Sequence, residues 1–192
     1  MARALMESWS AMNYFLRTAR LGFRCWQPDD LPLAMALWSD PAVTAWLGGP
    51  FAPQAVEERL TQEMRGTHES GMQYWPVFLL EEGRFAGCAG LHIRSAKEKI
   101  YELGYYLLPA FWGQGLAQEA GRTVIDYGFT HLGADALFAG HHPANHASRQ
   151  VLLNLGFERS GEEWYPPSGM IEPTYMLRRP HQHSHKPHNQ QQ

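Results

Sequence analysis

The sequence predicts a mixed α/β (α+β) fold, in which one mixed sheet carries helices on its faces. Three observations predict it. Apolar residues alternate in several short runs, they recur at helical spacing in longer runs, and glycine or proline separates the runs. In chain order the runs give β-α-α-β-β-β-α-β-α-β-β. Strands and helices that follow one another in this way are typical of a sheet flanked by helices.

The first third of the chain is predicted to form one strand and two helices. Residues 20–26 alternate apolar and polar side chains, which indicates a strand. The next helix can be capped by Asp29 or Asp30 and stops before Pro41. Residues 52–71 form a second helix, because Val56, Leu60 and Met64 recur every four residues and Gly71 ends the run.

The remaining elements follow from similar patterns. Two apolar runs joined by Glu-Glu-Gly-Arg indicate a hairpin, and a further strand is ended by Pro109. Asn145 can cap the last helix, which Gly156 ends. The predicted ranges are a hairpin over 73–93, a strand over 99–109, a helix over 116–129, a strand over 136–142, a helix from 145 and a hairpin over 157–179.

Length and composition predict an ordinary globular protein. With 192 residues, one domain is expected, and 44% hydrophobic residues suffice for a core. A net charge of -3 gives no sign of nucleic-acid binding, and no apolar run is long enough to predict a membrane helix. Cys25 and Cys88 are expected to be buried free thiols without a metal role. The simplest location for such a chain is the cytoplasm.

Both ends of the chain differ from its centre. Residues 1–18 are expected to be an extension, and residues 19–180 the single domain. Residues 181–192 are rich in His and Gln and have too little apolar surface to fold, so they are predicted to be disordered. Metal binding is the alternative for this tail, because His-rich tracts bind metals; its histidines are His181, His183, His185 and His188.

A glycine turn precedes the helix over 116–129. Gly113 and Gly115 lie between an apolar strand and the helix. A helix start presents unpaired N–H groups and partial positive charge, and glycine lets an anion approach the backbone. The turn is therefore either a simple connection or a backbone cradle for a phosphate. It lacks the Gly-Lys-Ser/Thr of a P-loop and the spacing of a dinucleotide fingerprint.

Two further positions carry polar groups that a cleft could use. Asn145 and Ser148 follow the next strand and either cap the last helix or bind a ligand together with the glycine turn, since ligands gather at the carboxyl ends of strands. Glu102 lies inside an otherwise apolar strand. It either faces solvent or faces a cleft, where burial would raise its pKa and make it a candidate base.

The ordered series of these motifs resembles the GCN5-related N-acetyltransferase (GNAT) superfamily. The resemblance is closest to the RimJ/RimL branch, which acetylates protein N-terminal amines, and it extends over residues 16–179. Its most specific parts are the glycine turn and the Asn-x-x-Ser…Leu-Gly-Phe block. The superfamily motif Gln/Arg-x-x-Gly-x-Gly/Ala places Gly115 and Ala117 at its last two anchors, whereas Trp112 departs from the first.

The resemblance implies a mostly antiparallel sheet of six or seven strands, about four helices and a splay between central strands. It also implies acetyl-CoA as donor, without a metal, and an amine as acceptor. The pyrophosphate would contact the backbone of the glycine turn, the pantetheine arm would contact the strand end and Asn145, and a backbone N–H near Leu107 would polarise the thioester carbonyl. The implied donor-binding residues are Leu107, Leu108, Trp112, Gly113, Gln114, Gly115, Leu116, Ala117 and Asn145.

The resemblance also implies a direct transfer in a ternary complex. Glu102 would act as base and Ser148 would assist the departing thiolate. Aromatic residues are candidates for a substrate wall, with core packing as the alternative for each; they are Trp46, Tyr74, Trp75, Tyr105 and Trp164. A small-molecule or antibiotic acetyltransferase and a non-catalytic acyl-CoA-binding module remain open as alternatives. No nucleic-acid or membrane partner is expected, and the protein would be a monomer or a homodimer.

Overall fold

One eight-stranded sheet carries four α-helices in the computed structural model, which describes residues 13–180. The elements are β1 (Leu16–Arg17), β2 (Leu21–Phe23), α1 (Leu31–Trp38), α2 (Pro53–Ser70), β3 (Tyr74–Leu79), β4 (Phe85–Ser95), β5 (Ile100–Leu107), α3 (Leu116–Thr130), β6 (Ala136–Gly140), α4 (His146–Asn154), β7 (Glu158–Tyr165) and β8 (Met170–Arg178). The predicted α/β class and the order of the longer elements are confirmed.

The sheet is antiparallel except at one central pair. Its strand order is β1-β2-β3-β4-β5-β6-β8-β7, and only β5 and β6 run parallel within this described sheet. The sheet has eight strands where six or seven were expected, because β1 pairs with β2, with Leu16 opposite Phe23. The folded domain therefore begins before residue 19, where the predicted extension was expected to end. The rest of that extension and the His-rich tail lie outside the described residues.

The parallel pair separates soon after it forms. Ile100–Glu102 of β5 pairs with Ala136–Phe138 of β6, and the ladder ends there although β5 continues to Leu107. On its other edge β5 stays paired with β4, and the Leu108 N–H donates to the Ala86 carbonyl at 2.9 Å. In this antiparallel register the N–H and C=O of Leu107 point towards β6. The predicted splay is thus present, and it leaves backbone groups of β5 facing a gap.

Each face of the sheet is covered by a different pair of helices. Side chains of α3 and α4 pack on one face with Leu103, Leu107 and Leu137. Side chains of α1 and α2 pack on the other with Tyr74 and Cys88. Successive strand residues point to opposite faces, so each strand contributes to both layers.

The cysteines are free, as predicted. Cys88 is buried and Cys25 is half-buried next to β2. Burial raises the pKa of the Cys88 thiol, so this thiol is un-ionised and inert. No helix among residues 13–180 combines the length and the hydropathy that a membrane span requires.

Helix ends follow the predicted signals with one exception. Gly71 ends α2 with φ 72°, and the Asn145 side chain accepts the Ser148 N–H at 3.0 Å at the start of α4. Asp30 precedes α1 but does not cap it with its side chain. Its carboxylate instead binds the Arg24 guanidinium at 2.6 and 2.7 Å.

Replacement of Leu137 by Ala tests the core around β6. Leu137 is 0% exposed, so we expect Leu137→Ala to lower the free energy of unfolding by about 2–5 kcal/mol in urea titrations. The matched control is Leu153→Ala, because Leu153 on α4 is 43% exposed and its loss should change stability by less than about 0.5 kcal/mol. Equal effects of the two variants would contradict the assigned packing.

Candidate active site

A cleft of about 690 Å³ opens where β5 and β6 separate. The amino ends of α3 and α4 border it on one side, and the loop between α1 and α2 borders it on the other. Its size is typical of small-molecule and cofactor sites. Twelve of the sixteen residues singled out from the sequence line this cleft: Trp46, Tyr74, Glu102, Tyr105, Leu107, Trp112, Gly113, Gly115, Leu116, Ala117, Asn145 and Ser148.

The glycine turn has the backbone geometry that an anion cradle requires. Gly113 and Gly115 have φ values of 72° and 75°, which favour glycine, and Gly115 begins α3 without a side-chain cap. A Cβ at Gly113 would meet no atom within 4 Å, and one at Gly115 would meet only the Arg20 guanidinium at 3.8 Å. The first-turn N–H groups of α3 therefore face open space, with the partial positive charge of the helix behind them.

The hairpin of β1 and β2 holds this turn in place. Arg20 donates to the Gln114 carbonyl at 3.0 Å and binds the Glu119 carboxylate on α3 at 2.6 Å. Thr18 donates to the same carboxylate. Burial of Glu119 works against ionisation, but the bonds from Thr18 and Arg20 outweigh it and lower its pKa. Sequence reasoning missed these contacts, since the partners lie about a hundred positions apart.

Leu108 differs from its predicted donor-binding role, whereas Gln114 keeps the backbone N–H that the prediction assigned to the phosphate. The Gln114 side chain donates to the Ala110 carbonyl at 3.0 Å, so it turns away from the cleft. The Leu108 N–H bonds Ala86, and its carbonyl accepts from Phe111 at 2.9 Å. Leu108 therefore has no free N–H for a ligand, which leaves Leu107 as the strand residue that faces the gap.

Trp112 braces the end of β5. Its indole Nε1 donates to the Leu107 carbonyl at 2.7 Å, while half of the side chain stays exposed. The indole thus occupies one acceptor site of Leu107 and leaves the Leu107 N–H directed into the gap. At the position where the resembling motif has Gln or Arg, this chain uses a side chain that fixes the strand end.

Asn145 and Ser148 lie on the α3–α4 side of the cleft. Asn145 does cap α4, yet its amide nitrogen has no acceptor among residues 13–180 and lines the cleft. The Ser148 hydroxyl lies 3.0 Å from the Tyr105 hydroxyl. Burial raises the pKa of Tyr105 to about 12, although the Ser148 bond opposes this, so Tyr105 is un-ionised, and its hydroxyl donates to the Ser148 carbonyl at 3.2 Å. Tyr105 is thus a partner of Ser148, whereas the sequence placed it in a substrate wall.

Glu102 faces the cleft from the opposite side of β5. Its carboxylate has no hydrogen-bond partner in the described part of the chain, and Gly104 and Tyr106 follow on the same face. Burial raises the Glu102 pKa, although nearby Arg94 and His92 oppose the rise. A carboxyl group of this kind takes up a proton more readily than an exposed one.

Two predicted wall residues lie elsewhere because of strand alternation. Trp75 points away from its neighbour Tyr74 into the α3 core, where its ring meets Tyr127 at 5.5 Å. Trp164 is 61% exposed on β7, and the adjacent Tyr165 lines the cleft instead. Which face a strand presents depends on its register in the sheet, which these isolated aromatic residues did not reveal.

Several cleft residues were missed from the sequence. His142 stacks on Trp46 at 4.6 Å and joins the α1–α2 loop to the loop before α4. The buried His141 lies between the His142 carbonyl, at 2.8 Å, and the Tyr175 hydroxyl, at 3.3 Å. Burial lowers its pKa and keeps it neutral. The pair of histidines directly after β6 was a usable signal, because ligands bind at strand ends.

The cleft also contains acidic and phenolic side chains that no local motif marked. They are Tyr106, Glu163, Tyr165 and Glu172. Among residues 13–180 no group of three or more His, Cys, Asp or Glu side chains is arranged to hold a metal ion.

Comparisons with known proteins agree with this geometry. The family model of the acetyltransferase (GNAT) domain matches residues 20–158. The uncharacterized N-acetyltransferase p20 of Bacillus licheniformis is 28% identical over 166 residues, which cover 84% of this chain and 93% of that protein.

Solved structures share the fold. An acetyltransferase of the GNAT family from Bacillus anthracis superposes with a TM-score of 0.74 at 24% identity, covering 85% of this chain and 97% of that one. RimL, a ribosomal L7/L12 α-N-protein acetyltransferase in complex with coenzyme A, superposes with a TM-score of 0.73 at 15% identity, covering 84% and 95%. At these identities the likeness concerns the fold.

The raised pKa of Glu102 predicts a pH-dependent stability effect. A buried carboxyl group whose folded pKa lies above its unfolded value destabilises the folded state as pH rises, because the cost begins at the unfolded pKa and is complete above the folded pKa. We expect Glu102→Gln to be more stable than wild type in urea titrations near pH 7, and the difference to vanish below about pH 4.3. Glu98→Gln, the same change on an exposed turn, is the matched control. A Glu102→Gln difference that is independent of pH would contradict the burial argument.

Proposed function

The chain belongs to the acetyltransferase (GNAT) family, and from that premise we propose that it transfers an acetyl group from acetyl-CoA to a protein N-terminal α-amine. Its membership makes it an acetyltransferase. The observation that carries the proposal is one cleft that joins three features. These are the uncapped glycine turn, the open edge of β5, and Glu102 across β5 from the Tyr105–Ser148 pair.

The donor side of the cleft fits acetyl-CoA. Backbone N–H groups of residues 113–117 would hold the pyrophosphate, because both glycines have positive φ and no cap competes with an anion. The free amide of Asn145 and the open backbone of Leu107 would hold the pantetheine arm. Acetyl-CoA supplies the activated acetyl group as a thioester.

Leu107 would also stabilise the developing charge. Its N–H points into the gap between β5 and β6 and is the open donor of the strand end, since the Leu108 N–H bonds Ala86. A backbone donor fixed by a sheet and braced by Trp112 needs no reorganisation during the reaction.

Glu102 would act as the general base. The acceptor amine must lose a proton before its nitrogen forms the new C–N bond. An α-amino group has a pKa of about 7.7–8.0, against about 10.4 for Lys, so a modest base suffices for an N-terminal acceptor. Burial brings the pKa of Glu102 towards neutrality, where a base is most effective, and a water molecule can relay the proton.

Ser148 would assist the leaving group as the C–S bond breaks. Its hydroxyl lines the cleft and can donate to the thiolate, while the Tyr105 hydroxyl, 3.0 Å away, donates to the Ser148 carbonyl at 3.2 Å. The neutral Tyr105, with its pKa raised by burial, would keep the serine hydroxyl oriented towards the cleft. No covalent intermediate on the enzyme is needed, and Cys88 lies buried on the α1–α2 face as an inert thiol.

The choice of a protein N-terminus rests on the RimJ/RimL-type motif series and on the fold shared with RimL. A small-molecule amine or antibiotic acetyltransferase would use the same donor side and the same base. A non-catalytic acyl-CoA-binding module would need neither Glu102 nor Ser148, and the position of both in the cleft favours the enzyme.

Two conservative variants distinguish an effect on the chemical step from an effect on acetyl-CoA binding. We expect Glu102→Gln to lower kcat about 10²-fold or more and Ser148→Ala to lower it by a smaller factor, with acetyl-CoA affinity nearly unchanged. Steady-state kinetics with N-terminal peptides and calorimetric titration of acetyl-CoA measure the two quantities. If both variants acetylate at the wild-type rate, the assigned roles are wrong.

A pair of glycine variants tests the phosphate cradle. Gly115→Ala and Gly133→Ala both place a Cβ at positive φ without a close contact, so each should cost about 1–2 kcal/mol of stability. Acetyl-CoA at about 100 times its Kd should stabilise wild type by about 2.7 kcal/mol in thermal unfolding. Gly133→Ala, in the turn after α3, should retain this ligand effect, and Gly115→Ala should lose most of it.

Two outcomes would contradict the cradle. The first is an equal ligand effect in both glycine variants. The second is an equal effect of AMP or NAD on wild type, which would show that the site does not select coenzyme A.

A further inference from the structure

The acceptor side of the cleft is acidic. Its lining includes Glu102, Glu163 and Glu172, and no Lys or Arg among the described residues lines it. The three carboxylates come from three strands, β5, β7 and β8, and Glu163 lies directly opposite Glu172 in the sheet register. An acidic cluster alone does not define a ligand, so the partners of each group decide what the cluster can do.

Only one of the three carboxylates has a basic partner within the described chain. Arg94 binds Glu163 at 2.5 Å. Glu172 is 6% exposed, and its one described hydrogen bond comes from the Ser168 hydroxyl at 2.7 Å. Glu102 forms no ion pair or hydrogen bond there, although Arg94 and His92 are close enough to oppose the rise of its pKa. A buried carboxylate without a counter-charge is costly, which favours a cation from outside the chain.

The neighbouring cations are already engaged. Arg94 lies over the Phe138 ring at 4.4 Å while it holds Glu163. Arg59 on α2 is half-buried and lies over the Trp38 ring at 4.7 Å, and both Arg59 and His92 contact the Glu63 carboxylate, at 4.0 and 2.9 Å.

Tyr74 gives a second, independent indication of a ligand. The residue is 5% exposed and lines the cleft, yet its hydroxyl has no hydrogen-bond partner in residues 13–180. The hydroxyl lies 2.8 Å from where a Cβ of Gly104 would be, so it reaches across the sheet to β5 between Glu102 and Tyr106. The fully buried unpaired polar atoms of the described chain belong to other residues, so the Tyr74 hydroxyl keeps access to solvent, and the cleft that Tyr74 lines is the side open to a ligand.

We propose that the acceptor carries a second cationic group, which Glu172 binds while the reacting amine lies at Glu102 and Tyr74. This inference rests on the proposed function and narrows its substrate class to dications. The second group is an ammonium or a guanidinium. It can come from a basic side chain next to a peptide N-terminus or from the far end of an alkyl diamine.

Matched acceptors separate these sources. One pair consists of peptides that begin Ser-Arg and Ser-citrulline, since citrulline has the shape of arginine without its charge. The other pair is diaminobutane and aminobutanol. The value of kcat/KM is measured for all four at saturating acetyl-CoA in wild type, in Glu172→Gln, and in Glu162→Gln, which removes an exposed carboxylate of β7 that pairs with Arg159.

We expect wild type to prefer the dication by about tenfold or more in at least one pair, because a hydrogen bond to a charged group contributes this much. The pair that shows it identifies the source. The preference should disappear in Glu172→Gln and persist in Glu162→Gln, and the value for the singly charged acceptor should stay unchanged in Glu162→Gln. The proposal is overturned if wild type shows no preference in either pair, or if the preference survives in Glu172→Gln.

A failure of the proposed function would give a different experimental result from a failure of the dication proposal. If wild type acetylates none of the four acceptors, the proposed reaction is wrong for these amines. Calorimetric titration of diaminobutane and of the Ser-Arg peptide into the CoA-bound protein then decides the further inference. Binding that Glu172→Gln abolishes supports the dication site, and no binding by wild type overturns it.

Discussion

The short parallel pairing of β5 with β6 is the constraint on which the rest of the site depends. Parallel neighbours need a crossover helix, so α3 must begin where β5 ends. The ladder stops after Glu102 and Phe138, which leaves the outer edge of β5 without a partner strand. Exposed backbone groups, an uncapped helix start and the capped start of α4 therefore meet in one gap. A ligand with a long polar arm and a phosphate satisfies all three at once.

Successive residues of β5 face opposite sides of the sheet, so the donor and the acceptor would contact different sides of this strand. Odd residues such as Tyr105 and Leu107 face α3 and α4, where the donor would lie. Even residues such as Glu102 face α1 and α2, where the acceptor would enter. In the proposed reaction, the base and the leaving-group donor would thus stand on opposite sides of the transferred acetyl group. Gly104 belongs to this arrangement, because any side chain there would displace the Tyr74 hydroxyl.

The ends of helices could be predicted from the sequence, because they depend on the backbone conformation and capping of a few neighbouring residues. Gly71, Asn145 and the turn at Gly115 mark element ends through φ and capping, and these predictions agree with the structure. Predictions of which strand side chains face the cleft were less accurate, because they depend on the register in which the strands pair. Trp75 and Trp164 miss the cleft by one position each, and Glu172 is brought opposite Glu163 only by the final hairpin. The two-residue β1 is too short for any periodicity, and it exists because β2 offers it an edge.

In the proposed reaction, the charges on the acceptor side would link recognition of the acceptor to catalysis. The pKa of Glu102 is raised first by burial, lowered by Arg94 and His92, and raised again by Glu163 and Glu172. A cation bound at Glu172 would cancel the last contribution and lower the pKa of Glu102. The base would then be more fully ionised when a dication occupies the cleft than when a singly charged amine does. An acidic wall that selects the acceptor would in this way also prepare the carboxylate that accepts its proton.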